Sequence, residues 1–192
     1  MAYSQELVSR LRDILDGAGY HTTFEAQGDT GIFSMRMKLR CRLQSVSMLI
    51  IVREDNFSTL TTLPLTADEN CRLAVSEYLT RANYNMRNGN FEMSMEDGTI
   101  RFKTYHHVGE VPLDEKATRL AVLIPFLMID RYGDGLIDVL FGLKSPREAF
   151  EAVGQRCPTA RHAAILPFQN NNRLTNRLPP AWGKGRSSAR FA

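Results

Sequence analysis

Four cations alternate with other residues in the segment GIFSMRMKLRCRL, residues 31–43. They are Arg36, Lys38, Arg40 and Arg42, and we call them the basic stripe. Successive side chains of a β-strand point to opposite faces, so this spacing predicts one apolar face and one basic face. Alternate residues lie about 6.6–6.8 Å apart along a strand. That spacing would let the basic stripe follow a phosphate backbone or an acidic segment of a partner protein.

The same four cations have a simpler interpretation as a solvated face. Glu25, Glu54 and Asp55 lie nearby in the sequence and can neutralise them. Arginine stems also cover apolar sheet while their charged ends stay hydrated. A basic stripe without interleaved aromatic residues is a weak signal for nucleic acid. The sequence therefore favours the solvated face and keeps partner binding as the alternative.

The other chemically reactive residues form no pattern that predicts catalysis or metal binding. His106 and His107 are adjacent, so on a strand they point to opposite faces and cannot readily chelate one ion. The segment DRYGDG superficially resembles a calcium loop, but Tyr132 and Phe141 occupy the third and twelfth positions, where oxygen ligands are required. The sequence contains neither a glycine-rich phosphate loop nor a GxSxG elbow. We therefore expect no enzyme activity, no cofactor and no metal.

Composition bounds the class of protein. A chain of 192 residues with 43% hydrophobic content supports one folded domain with an appendage. The three cysteines share no short spacing, which suits a reducing compartment better than a disulfide framework or a zinc site. The N-terminus is amphipathic and charged and lacks the apolar core that is typical of a secretion signal. The longest apolar run, LAVLIPFLMI, is about half of the ~20 residues needed to span a bilayer. We expect a cytoplasmic protein with no membrane contact.

Positive charge is concentrated at the C-terminal end. Six of the 24 basic residues and none of the 21 acidic ones lie after Cys157, so the preceding chain has a net charge of −3. The segments QNNN, PP and GKGRSS replace apolar periodicity there. We therefore divide the chain into a folded domain, residues 1–154, and a flexible basic tail, residues 155–192. The tail supplies further candidate electrostatic contacts, namely Arg173, Arg177, Lys184, Arg186 and Arg190.

Capping residues mark where the helices begin. Ser4 is an N-cap for the first helix. The segments TADE and SPRE are capping boxes, which place further helices after Thr66 and Ser145. A long apolar helix begins at Asp114 and contains Pro125, and we expect the segment RYGDG to interrupt it.

Period-2 segments between the helices predict strands. Residues 20–26 and 31–43 supply two strands, and SVSMLIIV with FSTLTTLPL supplies a third and has the length for a fourth. SVSMLIIV is apolar on both faces, which predicts a central strand covered on both sides. Strands and helices do not alternate regularly, so we predict an α+β fold with a mainly antiparallel sheet.

The segment FEMSMEDGTIRFKTY gives the clearest local signal, a β-hairpin. Asp97-Gly98 suits a two-residue type I′ turn, in which both residues need positive φ. Folding about this turn brings together side chains of matching polarity. The predicted pairs are Met95–Ile100, Met93–Phe102, Glu92–Lys103 and Ser94–Arg101.

The segment EYLTRANYNMRNGNFEMSMEDGTIRFKTYHHV resembles the YbjN family of bacterial proteins. In that family a helix ending in Arg-Ala-Asn leads into a Gly-Asn-Phe-Glu strand and an Asp-Gly hairpin, which correspond here to residues 81–83, 89–92 and 97–98. DRYGDGLIDVLFG and SPREAFEAV are similar to the family's Asp-Arg-Tyr segment and its closing Ser-Pro helix. This resemblance covers residues 73–153, and residues 4–65 agree in topology.

The resemblance implies a fold similar to that of type III secretion chaperones. Such a fold has a twisted, mainly antiparallel sheet of about five strands with helices on one face, in the order α-β-β-β-α-β-β-α, and is often dimeric. The resemblance also implies a regulator of sensory transduction without catalytic residues. We therefore predict a homodimeric, non-enzymatic module that docks a partner protein segment on its sheet, using the basic stripe. The alternative is a nucleic-acid-associated regulator that uses the basic stripe and the tail.

Overall fold

A computed structural model describes residues 3–84, 86–108 and 114–155. The five candidate tail cations, and the rest of the tail after residue 155, lie outside the described residues. In chain order the elements are α1 (Gln5–Gly17), β1 (Thr23–Gln27), β2 (Thr30–Lys38), β3 (Ser45–Val52), β4 (Asn56–Thr66), α2 (Arg72–Asn83), β5 (Asn90–Met93), β6 (Thr99–His107), α3 (Glu115–Leu140) and α4 (Pro146–Gln155).

The strands form one antiparallel sheet in the order β1-β2-β3-β4-β6-β5. The prediction of an α+β fold with an antiparallel sheet is confirmed, although the sheet has six strands rather than about five. Two predicted helix starts are also confirmed. Ser4 accepts a hydrogen bond from the Leu7 N–H at 3.1 Å, and Ser145 and Glu148 form the reciprocal bonds of a capping box.

The helices pack on one face of the sheet. On this inner face Phe33, Met48 and Phe102 are completely buried, and α3 lies against β4 and β6. On the outer face of the central strand β3, Leu49 and Ile51 are only half-buried. Within the described residues the prediction that this strand is covered on both sides is therefore wrong, because the described helices all lie on the inner face.

The segment RYGDG does not interrupt α3, which continues through it to Leu140. Its glycines allow close packing instead. A Cβ atom on Gly135 would lie 2.3 Å from the Tyr78 hydroxyl, and one on Gly133 would lie 2.8 Å from the Cys41 Sγ. Contacts this short exclude a larger side chain, so the two glycines let α3 approach α2 on one side and the chain after β2 on the other. The tertiary contacts decide the conformation here against the low helix propensity of glycine.

The hairpin forms, but its turn and register differ from the prediction. Met93 lies opposite Ile100 and Glu92 lies opposite Arg101, a shift of two residues. The cause is a longer turn, closed by a hydrogen bond from the Gly98 N–H to the Ser94 carbonyl at 2.9 Å. A shift of two keeps every side chain on its predicted face, since the side-chain period of a strand is two.

The start of α2 also differs from the prediction. Thr66 is the last residue of β4, and the following Ala67 N–H donates to the Gly98 carbonyl at 2.9 Å. These bonds extend the sheet into the segment that was predicted to open the helix. The helix begins at Arg72, whose side chain donates to the carbonyls of Ala67 at 3.2 Å and Met95 at 3.0 Å. Contacts with the hairpin therefore override the local capping signal.

The close approach at Gly135 predicts an unusual effect of alanine. In a helix, glycine-to-alanine normally stabilises by roughly 0.5–1 kcal/mol. We expect Gly135→Ala to lower the free energy of unfolding by about 1–3 kcal/mol through overpacking against buried Tyr78. Urea denaturation of the wild type and the variant measures this difference in the free energy of unfolding.

Gly154→Ala is the matched control, because a Cβ there meets nothing within 4 Å. It should leave the free energy of unfolding unchanged or raise it. A stabilised Gly135→Ala variant would contradict the close packing of α2 on α3.

Candidate functional site

The basic stripe is divided between two structural elements. Arg36 and Lys38 lie on β2, which ends at Lys38. Arg40 and Arg42 lie in the following loop, residues 39–44, where the Leu39 N–H donates to the Gln44 carbonyl at 2.7 Å and Gln44 has a φ of 63°. The prediction that all four cations share one strand face is therefore wrong for Arg40 and Arg42.

Three carboxylates of α3 hold this loop. Asp130, Asp134 and Asp138 are spaced by four residues, which places them on one face of the helix. We call them the aspartate row. Asp130 accepts hydrogen bonds from the backbone N–H groups of Arg40 at 2.6 Å and Cys41 at 3.0 Å. Asp134 accepts from the backbone N–H of Arg42 at 2.8 Å.

These bonds explain why β2 stops where it does. Backbone N–H groups need acceptors once they leave a sheet, and bonds to carboxylates are stronger than bonds between neutral groups. Three consecutive N–H groups of the loop find such acceptors on α3. Residues 39–43 therefore form a loop rather than a strand, although apolar and basic residues alternate in their sequence.

The Arg42 side chain is also part of this structure. Its guanidinium donates to the Asp134 carbonyl at 2.6 Å and forms an ion pair with Asp138. Asp138 accepts a second bond, from the Lys144 ammonium, at 2.8 Å. Burial opposes ionisation of Asp138, but the hydrogen bonds from Lys144 and Arg42 outweigh it and lower the pKa of its carboxyl. Arg42 therefore stabilises the fold, and its charge is largely compensated.

Cys41, in the same loop, is an inert thiol. Its side chain is buried, and burial is the largest cause that raises the pKa of its thiol to about 12, with the nearby Asp130 and Asp134 carboxylates adding to the rise. A thiol with such a pKa stays protonated at neutral pH and is a poor nucleophile.

Arg36 and Lys38 lie on the outer face of the sheet, which we call the open face. Both are exposed. Arg36 donates to the Ser45 hydroxyl at 3.1 Å, and strand pairing places it in a row with Ser47, Thr62 and then Arg101 on β6. Arg36 is therefore one end of a polar row that crosses the sheet, and Lys38 lies opposite Ser45 beside this row.

An aliphatic patch lies beside this row on the open face. It consists of two cross-strand pairs, Ile32–Ile51 and Leu49–Leu60, and all four side chains are half-buried. Next to it, Tyr105 is 61% exposed. Sequence patterning alone does not predict the patch, because the apolar outer residues of β3 favour a second covered face. The serines on the same face of β2, β3 and β4 are the signal that could have identified it.

The cations on the far side of the open face are compensated. Glu92 pairs with Arg101 at 2.8 Å and with Lys103 at 3.7 Å. Glu92 was predicted to lie opposite Lys103, and although the register differs, it still reaches that residue. Positive charge on the open face is thus offset by Glu92 near β5.

His106 and His107 have separate environments. His106 stacks on Phe57 with ring centroids 4.9 Å apart, and burial lowers the pKa of its imidazole. His107 lies 3.7 Å from Asp55 and is exposed. Within the described part of the chain, no group of three or more His, Cys, Asp or Glu residues is placed to hold a metal ion. Nor does any described helix combine the length and apolarity needed to cross a membrane.

The lowered pKa of Asp138 predicts an acid-dependent loss of stability. The pKa lies below the ordinary value of 3.8, so the carboxylate stabilises the folded chain above that pH, and this stabilisation disappears as pH falls through the lowered pKa. We expect Asp138→Asn to reduce the free energy of unfolding by about 1–3 kcal/mol at pH 7. The difference from the wild type should shrink toward pH 3, as measured by urea denaturation.

Asp13→Asn is the control for this prediction, since Asp13 is an exposed carboxylate on α1. We expect this control to have nearly the wild-type free energy of unfolding at both pH values. If Asp138→Asn lowered the free energy of unfolding no more than Asp13→Asn does at pH 7, the ion pairs of Asp138 would not stabilise the fold.

Comparison with known families gives a match over more than half of the chain. A family model named YbjN, described as "Putative bacterial sensory transduction regulator", matches residues 7–122. The match runs from α1 through the six described strands and α2 into the first part of α3, so it extends the resemblance found in residues 73–153 toward the N-terminus. No curated protein matches the chain. Since the match covers more than half of its residues, the chain belongs to the YbjN family.

Proposed function

We propose that this protein is a non-enzymatic regulator that binds a segment of a partner protein on the open face of its sheet. The observation that supports this proposal is the aliphatic patch beside exposed Arg36 and Lys38. Apolar surface rimmed by polar and charged residues is typical of protein interaction sites. Membership of a family described as regulators supports the regulatory role.

The two parts of the open face have different roles in this proposal. The aliphatic patch buries the apolar anchors of the partner, which supply most of the affinity. Arg36 and Lys38 attract acidic residues of the same segment, which sets its orientation and raises the association rate. Arg42 is not a contact residue in this proposal, because its guanidinium donates to the Asp134 carbonyl and pairs with Asp138. Arg40 is exposed in the loop that follows β2 and adds positive charge there.

The partner segment is an amphipathic helix with an acidic flank. Strand addition at a sheet edge is less suited to this sheet, because the edge strands β1 and β5 have only five and four residues. A helix laid across the open face can bury one apolar stripe on the patch while its acidic flank meets β2.

Charge reversal on β2 tests the proposal. Tagged wild type, Arg36→Glu and Lys38→Glu are used to capture proteins from the source bacterium, with and without nuclease, and the captured proteins are quantified by mass spectrometry. We expect one or two proteins to be enriched by the wild type in both arms, and their recovery to fall about 5–10-fold with either variant. Lys116→Glu, an exposed position on α3, is the matched control and should behave as the wild type.

Three results would contradict the proposal. Equal recovery with all four proteins would show that the open face is not involved. Loss of every enriched protein on nuclease treatment would make nucleic acid the partner. Conversion of a dimeric wild type to a monomer by Arg36→Glu, measured by analytical ultracentrifugation, would show that the open face joins two copies of this chain.

A further inference from the structure

A cavity of about 820 Å³ lies in the helical layer, between the C-terminal end of α2, the middle of α3 and α4. Its walls are largely apolar and include Met86, Ile124, Met128, Tyr132 and Phe150. The rings of Tyr132 and Phe150 are nearly parallel, with an interplanar angle of 6° and centroids 6.4 Å apart. Pockets of about 300–1,000 Å³ with mainly apolar walls and a few polar groups are typical of small-molecule sites.

Three arginines also line this cavity, namely Arg81, Arg87 and Arg131, and none of the described residues that line it is acidic. Arg81 is compensated by Glu77, one helical turn away, at 2.7 Å. Arg131 lies over the Tyr132 ring, 5.5 Å from its centroid, so an aromatic face and not a carboxylate supports its guanidinium. The cavity therefore combines apolar walls with uncompensated positive charge at Arg87 and Arg131 among the described residues.

We propose that this cavity binds a small organic anion, in which a carboxylate or a phosphate is attached to an apolar body. The apolar body packs against Met128, Tyr132 and Phe150, which exclude water from it. The acidic group accepts hydrogen bonds from Arg87 and Arg131, and the planar guanidinium of arginine matches the geometry of carboxylates and phosphates. Charge and shape together exclude cations and fully polar solutes.

This proposal does not rest on the proposed function. The cavity lies in the helical layer and the open face lies on the other side of the sheet, so ligand and partner occupy separate surfaces. A protein with both sites can hold a small molecule while a partner segment is bound.

Fluorescence of anilinonaphthalene sulfonate tests the site directly, because this probe joins an aromatic body to an anionic group. We expect saturable binding to the full chain with one site. Decanoate should displace the probe, and decanamide, which has the same chain without the charge, should require a concentration about tenfold higher or more. Equal displacement by the two would overturn the proposal, and this measurement needs no variant.

Substitution of the arginines gives an independent test. Arg87→Gln/Arg131→Gln should raise the Kd of the probe about tenfold or more, while Arg10→Gln/Arg119→Gln should leave it within about twofold. The control changes the charge by the same amount at exposed helical positions outside the cavity. Circular dichroism verifies that both variants are folded. An unchanged Kd in a folded Arg87→Gln/Arg131→Gln variant would show that the cavity does not recognise anions.

Discussion

Backbone N–H groups that leave a sheet must find other acceptors, and in this protein the helix α3 supplies them as carboxylates. The aspartate row bonds three consecutive N–H groups of the loop after β2, and Asp138 holds the Arg42 side chain. These contacts fix the position of α3 over the inner face of the sheet. None of the described helices packs on the other face, where the strand part of the basic stripe, Arg36 and Lys38, lies.

One helix thus contributes to three different surfaces. The aspartate row faces the loop, Gly135 admits the buried ring of Tyr78 from α2, and Arg131 and Tyr132 line the cavity beside α4. Because the Tyr78 hydroxyl donates to the Tyr132 carbonyl at 2.7 Å, the wall of the cavity is anchored to the core. A rigid helix of this kind keeps the cavity and the open face in fixed positions within one domain.

The sequence predicted those features that depend on neighbouring residues. The caps at Ser4 and Ser145 and the existence of the hairpin are local, and each was correct. The loop after β2 was not predictable in this way, since Arg40 and Asp130 are 90 residues apart and a period-2 pattern does not indicate where its N–H acceptors lie. For the same reason the glycines of RYGDG were interpreted as breakers, although their role is set by Tyr78 and Cys41, which are distant in sequence.

Amide hydrogen exchange tests most directly whether the aspartate row holds the loop. The N–H groups of Arg40, Cys41 and Arg42 belong to a loop, yet each has a carboxylate acceptor, so we predict slow exchange for all three in the wild type. In Asp130→Ala the exchange of Arg40 and Cys41 should accelerate while that of Arg42 changes less. If the three amides instead exchanged rapidly in the wild type, α3 would not hold the loop, and the separation of Arg42 from the open face would be wrong.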